Sequence, residues 1–333
     1  MEREEVACMF TVDCQTHVFP RAYAELLVQA GGWVRAVRNN GTYTVRYGDI
    51  QSFRLDPEVY DVKHKLRDMD KAAVDFGVIS VNMPGPEVFA EDRMVQAAQL
   101  CNDSVAELCA RHPDRLVGLA VLPWQDASAA CEEMKRATGE LGLRGIVLYS
   151  HIGGKPVDSS EFASIYALAE ELHTPLVLHP TVPTWGAVLK EYSMIPMMGL
   201  MVDTSIAMLR LILSGLLDSY PTLEIVHPHC GGVLPYLMPR VVEQTEVKRR
   251  GREHINRSPA EYYSRVYMDL VSPSTLAMKY AYDHSGPDKL LFGSDHPWVS
   301  YEAILSCVNG LRIPKADRAK ILGENARELF RIR

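Results

Sequence analysis

One arrangement recurs along the whole chain: a short apolar run rich in β-branched residues, a polar turn, then a longer segment with helical spacing. Such alternation indicates parallel strands covered by helices. The apolar runs fall at residues 10–13, 76–81, 116–121, 145–148, 176–179, 223–227, 266–270 and 290–293. Segments 92–111, 127–138, 160–172 and 204–219 carry the helical spacing, and several open on an Asp, Ser or Thr able to cap free amide donors. Eight strand–helix units fit a closed α/β barrel of the TIM-like (β/α)8 type. An open doubly wound sheet is the alternative, but the Gly-x-Gly-x-x-Gly phosphate loop it would carry after the first strand is missing.

The rhythm breaks once. At 39–55 the sequence NNGTYTVRYGDIQSFRL sets Asn-Gly and Tyr-Gly between short alternating runs, which predicts a small hairpin inserted after the first strand. No repeat, low-complexity tract or linker divides the chain, so residues 1–333 are expected to form a single barrel domain.

Composition narrows the classes of function. With 47% hydrophobic and 23% charged residues the chain suits a folded globular protein. A net charge of -7 with interleaved signs offers no basic face for phosphates, so nucleic acid is not an expected partner. Seven cysteines, an odd number without a Cys-x-x-Cys pair, suit a reducing compartment. The acidic start MEREEVACMF differs from the basic start of a signal peptide, and no apolar run is read as approaching the ~20 residues of a membrane span. The expectation is a cytoplasmic protein without a membrane partner.

In a parallel barrel the working side chains stand at the C-terminal ends of the strands and on the loops behind them. The first strand leads into Asp13-Cys14-Gln15-Thr16-His17, the fifth ends at His179, the sixth at His227-Pro228-His229 and the eighth at Ser294-Asp295-His296. A lone histidine in such a place is more often a packed imidazole bonded to a carbonyl. Convergence of His17, His179, His229 and Asp295 on one barrel mouth points instead to a metal. Neutral imidazoles and a carboxylate are the donors a zinc-like ion prefers, and a catalytic ion keeps one position open beside about three protein ligands.

Other residues have two readings each. His227 shares a face with His229 if the strand runs that far, as a ligand, a ligand support or a packed core residue. His296 should point away from the ion, with the substrate within reach from its loop, and His151 is placed to line the pocket. Trp185 and Trp298 follow the fifth and eighth strands, as an aromatic wall or as packing at the mouth.

These stretches also carry a resemblance. DCQTHVFP (13–20), SFRLDP (52–57), LVLHP (176–180), LILSG (211–215), HCGG (229–232), FGSDHP (292–297) and GENA (323–326) make the chain similar, nearly end to end, to the amidohydrolase-related metal-dependent decarboxylases. The resemblance implies that His17, His179 and Asp295 hold one divalent ion, zinc first, with manganese or iron as alternatives. It implies that His229 is the acid or base beside a metal-bound water, and that Arg54 grips the carboxylate of a small aromatic or dienoic substrate. A homodimer is implied too, with the region before the sixth strand and an arm near Arg240 and Lys248 facing the second subunit. Lys248 stands where the family supplies an arginine from that subunit, and lysine lacks the arginine fork.

The main departure is Gln15, which replaces the first histidine of the family's usual His-x-His. An amide oxygen is neutral and a weaker donor than imidazole, so direct ligation, ligation through water and no ligation all stay open. Three ligands still suffice for a catalytic site, with preference moved toward harder ions. The expected activity is that of a metal-dependent carbon–carbon lyase, a decarboxylase. The alternatives are hydrolysis of a lactone or amide, oxygen chemistry at an iron held by two histidines and a carboxylate, and a metal-poor subunit that scaffolds a related enzyme.

Overall fold

Residues 9–333 are described by a computed structural model, and the acidic start with Cys8 lies outside the described residues. The chain forms β1 (Val12–Val18), then an antiparallel sheet of β2 (Val34–Asn39), β3 (Thr42–Tyr47) and β4 (Gln51–Leu55). The strands β5 (Phe76–Val81), β6 (Leu116–Gly118) and β7 (Ile146–Tyr149) follow, and a two-residue ribbon of β8 (His151–Ile152) and β9 (Lys155–Pro156) comes next. The last four are β10 (Leu176–His179), β11 (Ile225–His227), β12 (Tyr267–Asp269) and β13 (Leu290–Leu291).

Parallel pairing runs β1-β5-β6 and β7-β10-β11-β12-β13. Two seams join these groups. Ala120 N donates to Gly145 O and Val147 N to Ala120 O, both at 2.8 Å, across the β6/β7 side. Cys14 N donates to Phe292 O, His17 N to His296 O and Asp295 N to Gln15 O, again at 2.8 Å, across the β13/β1 side. The ladder thereby closes on itself as an eight-stranded parallel barrel, and the open-sheet alternative falls away.

The helices mostly stand where the spacing puts them. Segment 92–111 is the helix Glu91–Arg111, and 127–138 is Ala127–Gly139, whose Asp126 side chain accepts from Ala129 N. The run 204–219 is broken, because Gly215 adopts φ 78 and a Cβ there would lie 2.3 Å from His254 O. Helix Leu200–Leu213 therefore ends before the short helix Leu216–Ser219.

Two expectations are corrected. The predicted hairpin is a three-stranded sheet: β2 pairs with β3 from Val34↔Tyr47 to Asn39↔Thr42, around Asn40 and Gly41 at φ 45 and 83. Its alternation of buried Val34 and Ala36 was masked by Val37, which points to solvent. The helical stretch Glu191–Leu213 also reaches span length, 23 residues with an apolar window of mean hydropathy 1.5. Half of that window is buried, and Ala207, Met208, Leu211 and Ile212 pack it onto the barrel. Core packing accounts for its composition.

Candidate active site

His17 and His179 approach each other at the C-terminal rim. His17 Nδ1 lies 3.0 Å from Ser80 Oγ on β5, and its Nε2 lies 3.0 Å from Asp295 Oδ1. His179 donates from Nδ1 to the Pro180 carbonyl at 2.8 Å, which leaves Nε2 as an acceptor 3.3 Å from His17 Nε2. Two donors each about 2.1 Å from one ion stand about 3.0 to 3.4 Å apart. These separations match. No three imidazole, thiolate or carboxylate groups among the described residues form an open cage already; here the donors close on one another.

Gln15 supplies a further observation. It is 3% exposed, and neither its amide oxygen nor its amide nitrogen has a partner. Leaving such a group unpaired costs about 1–3 kcal/mol, so a buried amide two residues from His17 fits a fourth donor to an ion better than it fits core packing.

Electrostatics agrees with ligand roles. Burial, with His17 beside it, lowers the His179 pKa to about 3, so this imidazole is neutral and its lone pair free. Burial alone would raise Asp295, but hydrogen bonds and charge from His17 and His229 hold its carboxyl well below the usual range. His229 Nε2 stands 3.9 Å from Asp295 Oδ2. Burial disfavours its charged form, yet Asp295 outweighs burial and the His229 pKa ends above its ordinary value.

The position of His229 is a backbone achievement. β11 stops at His227, and His229, Cys230, Gly231 and Gly232 all take positive φ, at 58, 55, 74 and 59. His229 N donates to Asp269 Oδ1 at 2.7 Å, which anchors the turn. His227 and His229 are thus not consecutive inward residues of one strand. His227 bonds through Nδ1 to Tyr263 OH at 2.9 Å, and burial lowers its pKa to about 3. A Cβ at Gly232 would meet Ser205 Oγ at 2.5 Å and Met201 O at 2.6 Å. Gly232→Ala should therefore cost about 2 kcal/mol or more and depress kcat by displacing His229, with bound metal unchanged; thermal melts and elemental analysis check both.

The other expected residues divide. His296 does point away: Lys65 Nζ donates to its Nδ1 at 2.9 Å and its Nε2 lies 3.3 Å from Asp68 Oδ2. His151 staples its own loop to the Val182 carbonyl at 2.9 Å. Trp298 meets Phe53 of the inserted sheet edge-on at 5.5 Å, and Trp185 Nε1 donates to Asp203 Oδ1 at 3.1 Å. Arg54 is not brought to the cluster. It pairs with Thr44 on the outward face of the inserted sheet, opposite Phe53, and its exposed guanidinium bonds Asp56 at 2.7 Å. The residue expected to grip the substrate carboxylate therefore stands apart from the other site residues, paired with Asp56. Lys248 is exposed, 4.0 Å from Glu243.

Sequence reasoning passed over Asp269, Lys65, Glu87 and Tyr149. Asp269, the last residue of β12, had a signal in its strand-end carboxylate. Lys65 had none: it is 3% exposed beneath Thr16 and His296, and burial brings its pKa to about 7 against the pull of Asp13, Asp295 and Asp68. A surface groove of about 1690 Å³ runs past Asp68, His296 and Tyr301 but is not lined by His17, His179 or Asp295.

A closed parallel barrel whose rim gathers two histidines, an aspartate and a further histidine defines a class of metal-assisted barrel enzymes. Comparison with known proteins specifies it. The chain belongs to the Amidohydrolase family, whose profile matches residues 12–332. It is 30% identical over 298 residues to the gamma-resorcylate decarboxylase of Rhizobium radiobacter, covering 85% of this chain and 90% of that one. It is 25% identical to the 2-amino-3-carboxymuconate-6-semialdehyde decarboxylase of Dictyostelium discoideum, over 96% of this chain and 91% of that one. Among solved structures, the 5-carboxyvanillate decarboxylase of Sphingomonas paucimobilis superposes with a TM-score of 0.87 at 25% identity, covering 98% of this chain and all of the other.

Proposed function

We propose that this protein is a metal-dependent decarboxylase of a small, hydroxylated aromatic acid. The observation that carries the reading is the meeting of His17, His179 and Asp295 at ligand spacing, with His229 Nε2 3.9 Å from the same carboxylate. Similarity to decarboxylases of aromatic and dienoic acids supports it over hydrolysis.

His17, His179 and Asp295 would hold one divalent ion, with the Gln15 amide oxygen as a fourth donor. When bound, the ion supplies Lewis-acid charge to the substrate's oxygens. Two imidazoles favour zinc, and a neutral amide in the fourth place shifts the preference toward manganese or iron. His229 is the proton donor. Its Nε2 delivers a proton to the ring carbon that bears the carboxylate, a C–H bond forms there, the C–COO⁻ bond breaks, and carbon dioxide leaves with the ring's electrons restored. His229, left neutral, takes a proton back from solvent. An imidazole is the side chain suited to carry a proton near neutrality, and the Asp269 carboxylate, which accepts from His229 N, keeps its backbone in place. Trp298 and Phe53 wall the mouth against water, and Trp185, pinned by Asp203, stiffens the loop behind β10.

Assembly and location complete the reading. Val188, Tyr192, Met197, Met198, Tyr236 and Val247 are large, apolar and exposed, side chains that contact with a second copy in a homodimer would cover. The six described cysteines are free thiols, in keeping with a cytoplasmic protein. The test of function is product analysis. Metal-loaded protein given γ-resorcylate in D2O should release one equivalent of carbon dioxide and leave one deuterium on the vacated ring carbon. A ring opened without carbon dioxide, or oxygen consumed in step with turnover, would replace this reading with hydrolysis or iron chemistry.

A further inference from the structure

Beside the metal-ligand cluster, and unused by the mechanism above, lies a group of buried polar side chains short of partners. Glu87 follows β5 in the 3-10 turn Pro86–Val88 and is 7% exposed. Its Oε1 accepts from Gly85 N at 3.2 Å, while Oε2 has no partner. The hydroxyl of Tyr149, a residue only 1% exposed, is also without a partner, and that of Tyr47, 2% exposed, interacts only weakly, with Thr181. Buried polar groups left this way are destabilising, and a fold retains them where something else satisfies them.

Topology puts Tyr149, and through it this group, next to His179 of the cluster. Tyr149 ends β7 directly opposite His179 in the parallel register, so both side chains leave the sheet on one face. Their rings stand 6.0 Å apart, edge to face. A Cβ at Gly85 would lie 2.2 Å from Tyr149 Cε2 and 2.3 Å from Glu87 Oε2, so glycine there leaves the space the phenol ring and the carboxyl share. Tyr47 descends from the inner face of the inserted sheet toward Thr181, two residues past His179. The Glu87 backbone is itself fixed, its carbonyl accepting from Gln125 Nε2 at 2.7 Å.

Resting on the decarboxylase reading for its site, we propose that Glu87, with the Tyr47 and Tyr149 hydroxyls, forms a subsite that recognises a hydrogen-bond-donating ring substituent, a hydroxyl or amine, remote from the departing carboxylate. The chemistry selects a donor. Among the described residues no lysine or arginine contributes to the surroundings of Glu87, whose titratable neighbours Tyr23, Tyr47, Tyr149 and Cys101 are neutral near pH 7. Burial pushes the carboxyl up to about 7. Protonated or ionised, it keeps an oxygen able to accept from a ring hydroxyl, and the phenols complete the donor's other bonds. An aromatic acid without such a substituent would leave Glu87 Oε2 and the Tyr149 hydroxyl unpaired, and that difference is the source of selectivity.

The test uses metal-loaded protein carrying His229→Asn, so that bound acid is not consumed, titrated by calorimetry with benzoate and with its 3-hydroxy and 4-hydroxy derivatives. At least one hydroxy acid should bind more tightly than benzoate. That preference should shrink by about 10- to 100-fold in Glu87→Leu and by less than about 3-fold in the isosteric Glu87→Gln, which keeps an accepting oxygen. An unchanged preference in Glu87→Leu, with only a lowered Tm, would mean that Glu87 merely supports the fold and would overturn the proposal. Turnover assays on protein with His229 intact separate the two readings. Carbon dioxide released while the preference ignores Glu87 removes the subsite alone. No carbon dioxide from any acid, with a preference that collapses in Glu87→Leu, removes the decarboxylase reading and leaves the subsite standing.

Discussion

Replacing Asp295 with Asn should reduce tightly bound divalent metal from about one equivalent to a small fraction and lower decarboxylation by about 10³-fold, the rate equivalent of losing several kcal/mol of charge stabilisation. Asp295 is the only carboxylate in the ligand set, and its Oδ1 stands 3.0 Å from His17 Nε2. Asparagine keeps the shape and removes the charge that an ion needs from a set otherwise made of neutral imidazoles and one amide. His179→Ala should do the same by removing an imidazole whose pKa of about 3 leaves it neutral and ready to donate. Elemental mass spectrometry on protein purified without chelator reads the metal. Wild-type metal content in either variant would remove these residues from the ligand set. A wild type that neither retains nor binds metal would instead make Gln15 the mark of a disabled site and favour the scaffold alternative.

The same substitution has a stability consequence in the metal-free protein. The Asp295 carboxyl is held below its ordinary 3.8 by His17 and His229. A depressed carboxylate pKa contributes stability above the unfolded-state value and loses it as pH falls through the folded-state value. The Tm gap between wild type and Asp295→Asn should therefore be widest near neutrality and close in acid.

What could be read from the sequence follows from where its signals lie. β5 and β10 were placed with their observed bounds because both are continuous apolar runs, buried on both faces as barrel strands are. The sequence pattern predicts β1 at 10–13, yet the strand runs Val12–Val18 with every residue buried. Asp13, Gln15, Thr16 and His17 look like a loop because polar residues in a buried strand contradict the local rule, and such contradictions gather at functional sites. The convergence of His17, His179 and Asp295 was legible because each sits at a strand end or on the loop just behind one, positions that topology makes equivalent around the barrel. Arg54, Glu87 and Lys65 were not. The direction of Arg54 depends on which face of a three-stranded sheet it occupies, and burial of Glu87 and Lys65 depends on partners far away in sequence. No local pattern distinguishes a carboxylate under Tyr149 from one in water.

His229 separates chemistry from metal binding, and its replacement carries the second large effect. His229→Asn should lower kcat by about 10²- to 10⁴-fold, the range expected for loss of a positioned proton donor, and leave about one equivalent of metal in place. The geometry requires this split. The imidazole reaches only to 3.9 Å from Asp295, outside the 3.0 to 3.3 Å contacts that join the ligands to one another, and it is turned there by a left-handed run of backbone held by Asp269. An acid must be protonated to act, so the wild-type rate should fall on the alkaline side as Nε2 loses its proton, and the variant's small residual rate should lack that limb. Deuterium incorporation from D2O should slow in proportion to carbon dioxide release, because both follow one protonation. A variant that keeps full activity would transfer the donor's role elsewhere on the rim, and one that loses metal along with activity would make His229 a ligand.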